Sequence, residues 1–136
     1  MNDFREILAE KGIAPSVQRI KILEYLMNFK THPTADMIYK ALIDDIPTLS
    51  KTTVYNTLKQ FTEKGILMEL SLFENETRYE YDQSHHTHFK CTKCSKIYDI
   101  MQDSAEFSNN IIEGHQVEEH HIYLKGVCKS CLEEEN

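Results

Sequence analysis

The chain has 136 residues, four cysteines and a formal charge of −7. That length suits one domain or two small ones; no apolar run approaches the roughly 18 residues of a membrane helix, and Met1-Asn2-Asp3-Phe4 lacks a basic-then-apolar targeting pattern, so a soluble cytoplasmic protein is expected. The acidity speaks against a nucleic-acid partner only until it is located: residues 1–79 carry ten Lys/Arg against eleven Asp/Glu, residues 80–136 five against eleven.

In chain order, Phe4, Ile7 and Leu8 are helically spaced and Gly12 supplies a stop. Ser16 caps a second helix carrying Val17, Ile20, Ile22, Leu23, Leu26 and Met27. A third follows Pro33, capped by Thr34, with Met37, Ile38, Ala41 and Leu42 as its apolar face. The fourth begins after Ser50, with Val54, Leu58 and Phe61 spaced for burial and a polar, partly basic opposite face. Beyond Gly65, residues 66–72 and 77–81 read as strands around the turn-prone Phe73-Glu74-Asn75-Glu76.

Helices followed by a hairpin make a winged helix. In that layout the fourth helix enters the major groove of DNA, with Lys51, Thr53, Tyr55 and Asn56 near bases or phosphates and Arg19 and Lys21 on phosphates from the second helix. The plainer alternative is a small helical domain whose polar face only meets water; the order of elements favours DNA. One such domain grips few phosphates, so useful affinity calls for a homodimer on a palindromic site, with a tetramer the alternative.

The cysteines form two CxxC pairs, Cys91/Cys94 and Cys128/Cys131, and one tetrahedral thiolate site accounts for all four. That reading makes them a structural zinc site. Two disulfides or free thiols are the alternative, disfavoured where no secretory signal is present. Just upstream stand His85-His86-Thr87-His88, flanked by Tyr79-Glu80-Tyr81-Asp82 and followed by Asp99. On a strand, residues 86 and 88 share a face and His85 takes the other. Mixed nitrogen and oxygen donors suit Fe²⁺, Mn²⁺ or Zn²⁺. His32, in Thr31-His32-Pro33-Thr34, is the distant histidine able to join them, although alone it reads as a loop or capping residue. Glu106, His120 and His121 are further candidates, and Glu133-Glu134-Glu135 reads as a solvated tail. A metalloenzyme using the histidines is the alternative of another class, but no independent acid, base or phosphate loop accompanies them. A zinc-stapled adaptor that binds only protein is the third.

Gln18-Arg19, His32-Pro33-Thr34-Ala35-Asp36, Thr53-Val54-Tyr55, His86 through Cys94 and Gly126 through Cys131, in that order and spacing, resemble the ferric uptake regulator (Fur) family of bacterial metal-dependent repressors. The resemblance implies an α+β protein: a winged helix-turn-helix over 1–82, a hinge near 82–85, and an α/β dimerisation domain with structural zinc over 83–136. It carries over the regulatory Fe²⁺ or Mn²⁺ ligands as His32, Glu80, His86, His88 and Asp99. Asp99, where iron sensors usually have Glu, and the segment 32–42 resemble the peroxide-sensing branch, in which Fe²⁺ and H₂O₂ lead to oxygen addition at a ligand histidine, here His32 or His86. Glu80 departs from that branch and resembles the iron sensors; zinc and manganese sensors are more distant alternatives. His85, Glu106 and His120 correspond to a second metal site left partial by Thr87. Ser16-Val17 replaces the usual Thr-Pro and keeps a cap.

Overall fold

The computed structural model describes residues 3–29, 32–71, 76–81, 87–101, 111–118 and 120–134. They fall into two compact units, Met1–Gln83 and Ser84–Asn136. The expected α+β class is found, with a helical winged unit first and a β-rich unit second.

The first unit contains α1 (Phe4–Glu10), α2 (Val17–Asn28), α3 (Ala35–Leu42) and α4 (Lys51–Glu63), then a hairpin of β1 (Met68–Leu70) and β2 (Arg78–Glu80). Local chemistry sets the helix starts. The side chains of Ser16, Thr34 and Ser50 each accept the N–H three residues on, from Arg19, Met37 and Thr53. The ends of α1 and α4 are Schellman caps. Gly12 (φ +73°) and Gly65 (φ +78°) turn the chain, and Ile13 and Ile66 donate back to the carbonyls of Leu8 and Phe61 at 2.9 and 2.8 Å. Both isoleucines are buried beside those partners, so each cap also seals the core.

That core centres on Leu8, Ile22, Leu23, Leu26, Ile38, Val54, Leu58 and Phe61. It corrects the expected apolar faces at three positions. Val17 is 68% and Met37 39% exposed, and Ala41 is exposed too. The buried stripe of α3 runs instead through Ala35, Ile38 and Leu42, one residue at each pass of the helix over the core. The strands are also shorter than 66–72 and 77–81, because Ile66 and Leu67 still donate to Phe61 and belong to the helix end.

In the second unit, β3 (Thr87–Cys91) and β4 (Ile97–Ile100) form an antiparallel hairpin. β5 (Ile111–Ile112) and β6 (His115–Gln116) make a small separate one, β7 (Ile122–Gly126) pairs with β3 in parallel, and α5 (Lys129–Glu134) follows. The sheet order is β4-β3-β7. Among the described residues its clustered buried core consists of Cys91, Cys128 and Cys131, backed by Phe89, Tyr98 and Val127. Among the described residues no helix is long and apolar enough to cross a membrane.

Candidate metal centres and nucleic-acid face

Parallel pairing of β3 with β7 ends both strands on the same side, where Cys91 lies opposite Gly126 and Cys128 follows two residues later. The Thr92 N–H donates to the Gly126 carbonyl at 2.7 Å and locks that register. Ser95, in the left-handed region (φ +65°), turns the chain so that its N–H reaches the Cys91 carbonyl at 3.0 Å and Cys94 comes back beneath Cys91. Cys131 sits in the first turn of α5, brought to the same point. The sulfur separations are 3.7 Å for Cys91–Cys131 and 3.8 Å for Cys94–Cys128, and all four sulfurs lie within 4.8 Å of one another. A tetrahedron of sulfurs about 2.3 Å from a central ion has edges of about 3.8 Å, whereas a disulfide needs about 2.05 Å. The cage fits a tetrahedral cation.

Its electrostatics call for one as well. The Cys94 N–H, 3.4 Å from the Cys91 sulfur, leads the interactions that hold the Cys91 thiol down to about 6. The Tyr98 hydroxyl, followed by the Cys131 backbone, lowers Cys128. Cys131, hydrogen-bonded to Cys128, is pushed up to about 12. A cage that favours some thiolates and resists others is completed by a central positive charge.

Each unit also contains a buried histidine against a carboxylate. In the first, His32 Nε2 lies 3.2 Å from Glu80 Oε1, and both residues are more than nine-tenths buried. The loop that carries His32 is left-handed at that residue (φ +54°) and is fastened by the Arg78 guanidinium, which donates to the His32 carbonyl at 3.1 Å, and by the Tyr79 N–H, which donates to the Pro33 carbonyl at 3.0 Å. In the second unit His88 and Asp99 are direct cross-strand partners, with Nε2 to Oδ1 at 3.3 Å. His88 is fully buried, and its parallel-strand partner Tyr123 stacks on it with ring centroids 6.1 Å apart. Strand alternation puts His88 and Asp99 on the opposite side of the sheet from Phe89, Tyr98 and Cys91, so the thiolate cage and the imidazole pair do not compete for one ion. Each pair offers two donors of the kind suited to divalent iron or manganese.

His85, His86 and Glu106 lie outside the described residues. His120 is described, but among the described residues no cation-sized group of His, Cys, Asp and Glu side chains includes it.

On the face expected from the sequence to meet DNA, Tyr55 and Asn56 are exposed on α4. Lys51 is exposed as well and already engaged: its Nζ lies 3.2 Å from Asp36 Oδ1 and 5.5 Å above the Tyr39 ring. Thr53 shares the α4 cap, its Oγ1 2.8 Å from Ser50 Oγ, and Arg19 donates to the Ala14 carbonyl at 2.7 Å. Arg19, Thr53 and Asn56 line a polar cleft of about 510 Å³ together with Gln18, Thr57 and Gln60. Gln60 was missed by the sequence reading, although its spacing from Thr53 and Asn56 (three, then four residues) marks one helix stripe.

The model of the family described as "Ferric uptake regulator family" matches residues 10–126. The "Peroxide operon regulator" of Bacillus subtilis (strain 168) is 40% identical over 139 aligned residues, covering 100% of this chain and 96% of that protein. The "Peroxide-responsive repressor PerR" of Staphylococcus epidermidis (strain ATCC 12228 / FDA PCI 1200) is 36% identical, covering 95% and 88%. Among solved structures, the Vibrio cholerae ferric uptake regulator superposes with a TM-score of 0.78 at 30% identity, covering 93% of this chain and 100% of that one. This is a family of transcriptional regulators and not of enzymes, which removes the metalloenzyme alternative. With a winged helical unit, a four-cysteine cage and two histidine-carboxylate pairs whose histidines are buried, the chain belongs to the ferric uptake regulator family of metal-dependent regulators and resembles its peroxide-responsive members.

Proposed function

We propose that this protein is a peroxide-responsive repressor that binds palindromic operator DNA as a dimer, holds structural Zn²⁺ through Cys91, Cys94, Cys128 and Cys131, and binds regulatory Fe²⁺ or Mn²⁺ through His32, Glu80, His86, His88 and Asp99. The observation that carries the reading is the pair of histidine-carboxylate contacts made by buried histidines, one in the winged unit and one in the β unit. Neither pair alone completes the coordination of a divalent ion, and the proposed ligand set draws on both. A metal that needs ligands from both units favours whichever arrangement presents them together, and it shifts the population by its affinity difference between arrangements.

Fe²⁺, if bound, would catalyse cleavage of the H₂O₂ O–O bond, one oxygen adding to an imidazole carbon and the other leaving as water, so that peroxide is the two-electron oxidant and iron is not consumed. Glu80 and Asp99 offset the metal's charge and leave the imidazoles as neutral donors. His32 and His86 are the acceptors of the added oxygen, and an oxidised imidazole is a poorer ligand. The cysteine cage leaves no open position for peroxide and keeps the β unit folded meanwhile. Arg19, Lys51, Thr53, Tyr55 and Asn56 meet the operator. Support comes from relatives named for peroxide response and from Asp99 at the position where the resemblance separates peroxide from iron sensors.

The test is peptide mass spectrometry of Fe²⁺-loaded protein after brief, dilute H₂O₂, beside an Mn²⁺-loaded control. Oxygen added to the peptide bearing His32 or His86 only with iron is the expected result. Unmodified histidines in a protein that retains its zinc would overturn peroxide sensing in favour of an iron-responsive repressor, the reading that Glu80 favours.

A further inference from the structure

Three consecutive residues of β2 grip one loop. Arg78 Nη1 donates to the His32 carbonyl at 3.1 Å, the Tyr79 N–H donates to the Pro33 carbonyl at 3.0 Å, and Glu80 Oε1 stands 3.2 Å from His32 Nε2. Thr34 completes the set as an antiparallel bridge partner of Arg78. Residues 32–34 therefore act as a third strand beside β2, whose other edge pairs with β1. Alternation puts Arg78 and Glu80 on one side of β2, where the first holds the backbone of His32 and the second its imidazole, while Tyr79 points into the core.

Arg78 is suited to this by its fork. While Nη1 holds His32, Nη2 lies 3.3 Å from Glu76 Oε2, two residues before Arg78 on the β1–β2 side of the strand's start. A lysine ammonium is a single point charge and cannot span both in fixed geometry. His32 needs such a hold, because a residue with a β-carbon at φ +54° stays there only when its surroundings fix it.

We propose that Arg78 is a positioning residue that couples the His32/Glu80 end of the metal site to the wing, so that a divalent cation bound there stiffens β2 and an anchored wing in turn tightens the cation. The proposal rests on the assignment of His32 and Glu80 as metal ligands. Coupling of this kind is reciprocal, so whatever fixes the wing raises metal affinity by the same factor.

The experiment titrates Mn²⁺ into full-length, zinc-loaded protein, reading free Mn²⁺ by electron paramagnetic resonance and exchange protection of the Tyr79 amide by NMR. Arg78→Gln and Arg78→Lys are both expected to weaken Mn²⁺ binding roughly tenfold or more, the usual cost of losing a residue that orients a ligand. Both should keep zinc and lose the Mn²⁺-induced protection at Tyr79. Arg78→Lys guards against a variant that merely fails to fold. If both variants bind Mn²⁺ as the natural chain does, while melting at lower temperature with and without Mn²⁺ alike, Arg78 is only part of the wing's framework and the coupling is refuted. Parallel titrations of His32→Ala and Glu80→Gln separate the two failures. Mn²⁺ binding that survives those substitutions overturns the ligand assignment and this proposal with it, whereas binding lost there but intact in both Arg78 variants overturns the proposal alone.

Discussion

Asp36 is a single carboxylate shared by two lysines. It is paired with Lys40 at 2.9 Å and with Lys51 at 3.2 Å, which holds its carboxyl below the usual value near 3.8, Lys40 first and Lys51 second. Lys51 opens the helix proposed to meet DNA, and on that proposal operator phosphates compete with Asp36 for it. Asp36→Asn should therefore strengthen operator binding a few-fold and steepen its salt dependence, measured by gel shift across a salt series. Tyr79 makes a prediction in the alkaline range. Burial, then the charges of Glu69 and Tyr55, push its hydroxyl from 10.0 up to about 12. The folded state thus holds that proton more tightly than the unfolded one, so its contribution is complete below pH 10 and is lost as pH rises toward 12. Tyr79→Phe should remove that part of the alkaline fall in melting temperature of the winged unit.

Among the elements, what was legible in the sequence was what is decided within one turn of chain. The caps at Ser16, Thr34 and Ser50 and the stop at Gly12 depend on neighbours at most five residues away, and all four are found. Helix faces were read less well, because apolar identity was equated with burial. Val17 is the first residue of α2 and Met37 lies beside, not on, the Ala35–Ile38–Leu42 stripe. Arg78 escaped notice for a different reason: an arginine beside a glutamate on a strand looks like solvated charge, and its decisive partner is a carbonyl 46 residues away. The cap at Gly65 offers a clean check on the local part. A β-carbon there meets nothing within 4 Å, so Gly65→Ala is charged only for its left-handed backbone, about 1 kcal/mol, read as a lowered urea midpoint of the helical signal.

For the whole molecule, the two units owe their stability to different things. Among the described residues the winged unit buries a full set of large aliphatic side chains and Phe61, whereas the clustered core of the β unit is mainly its cysteines. A small unit with an apolar centre of that kind is expected to depend on its metal for folding. Cys91→Ser should accordingly lose zinc by elemental analysis and unfold the β unit, while the amide spectrum of the winged unit stays dispersed. A variant that loses zinc yet keeps the β3–β7 register would refute that dependence.

The parallel alignment of β3 and β7 has an evolutionary corollary. The four sulfurs are set by two strands hydrogen-bonded directly to each other and by short turns at their ends, so the number of residues between Ile100 and Ile122 does not enter the cage geometry. Insertions and deletions in that interval leave the metal cage intact, while a single deletion between Gly126 and Cys128 would misplace two ligands at once. Length polymorphism among descendants of this gene is therefore expected to accumulate in the first interval and to be purged from the second.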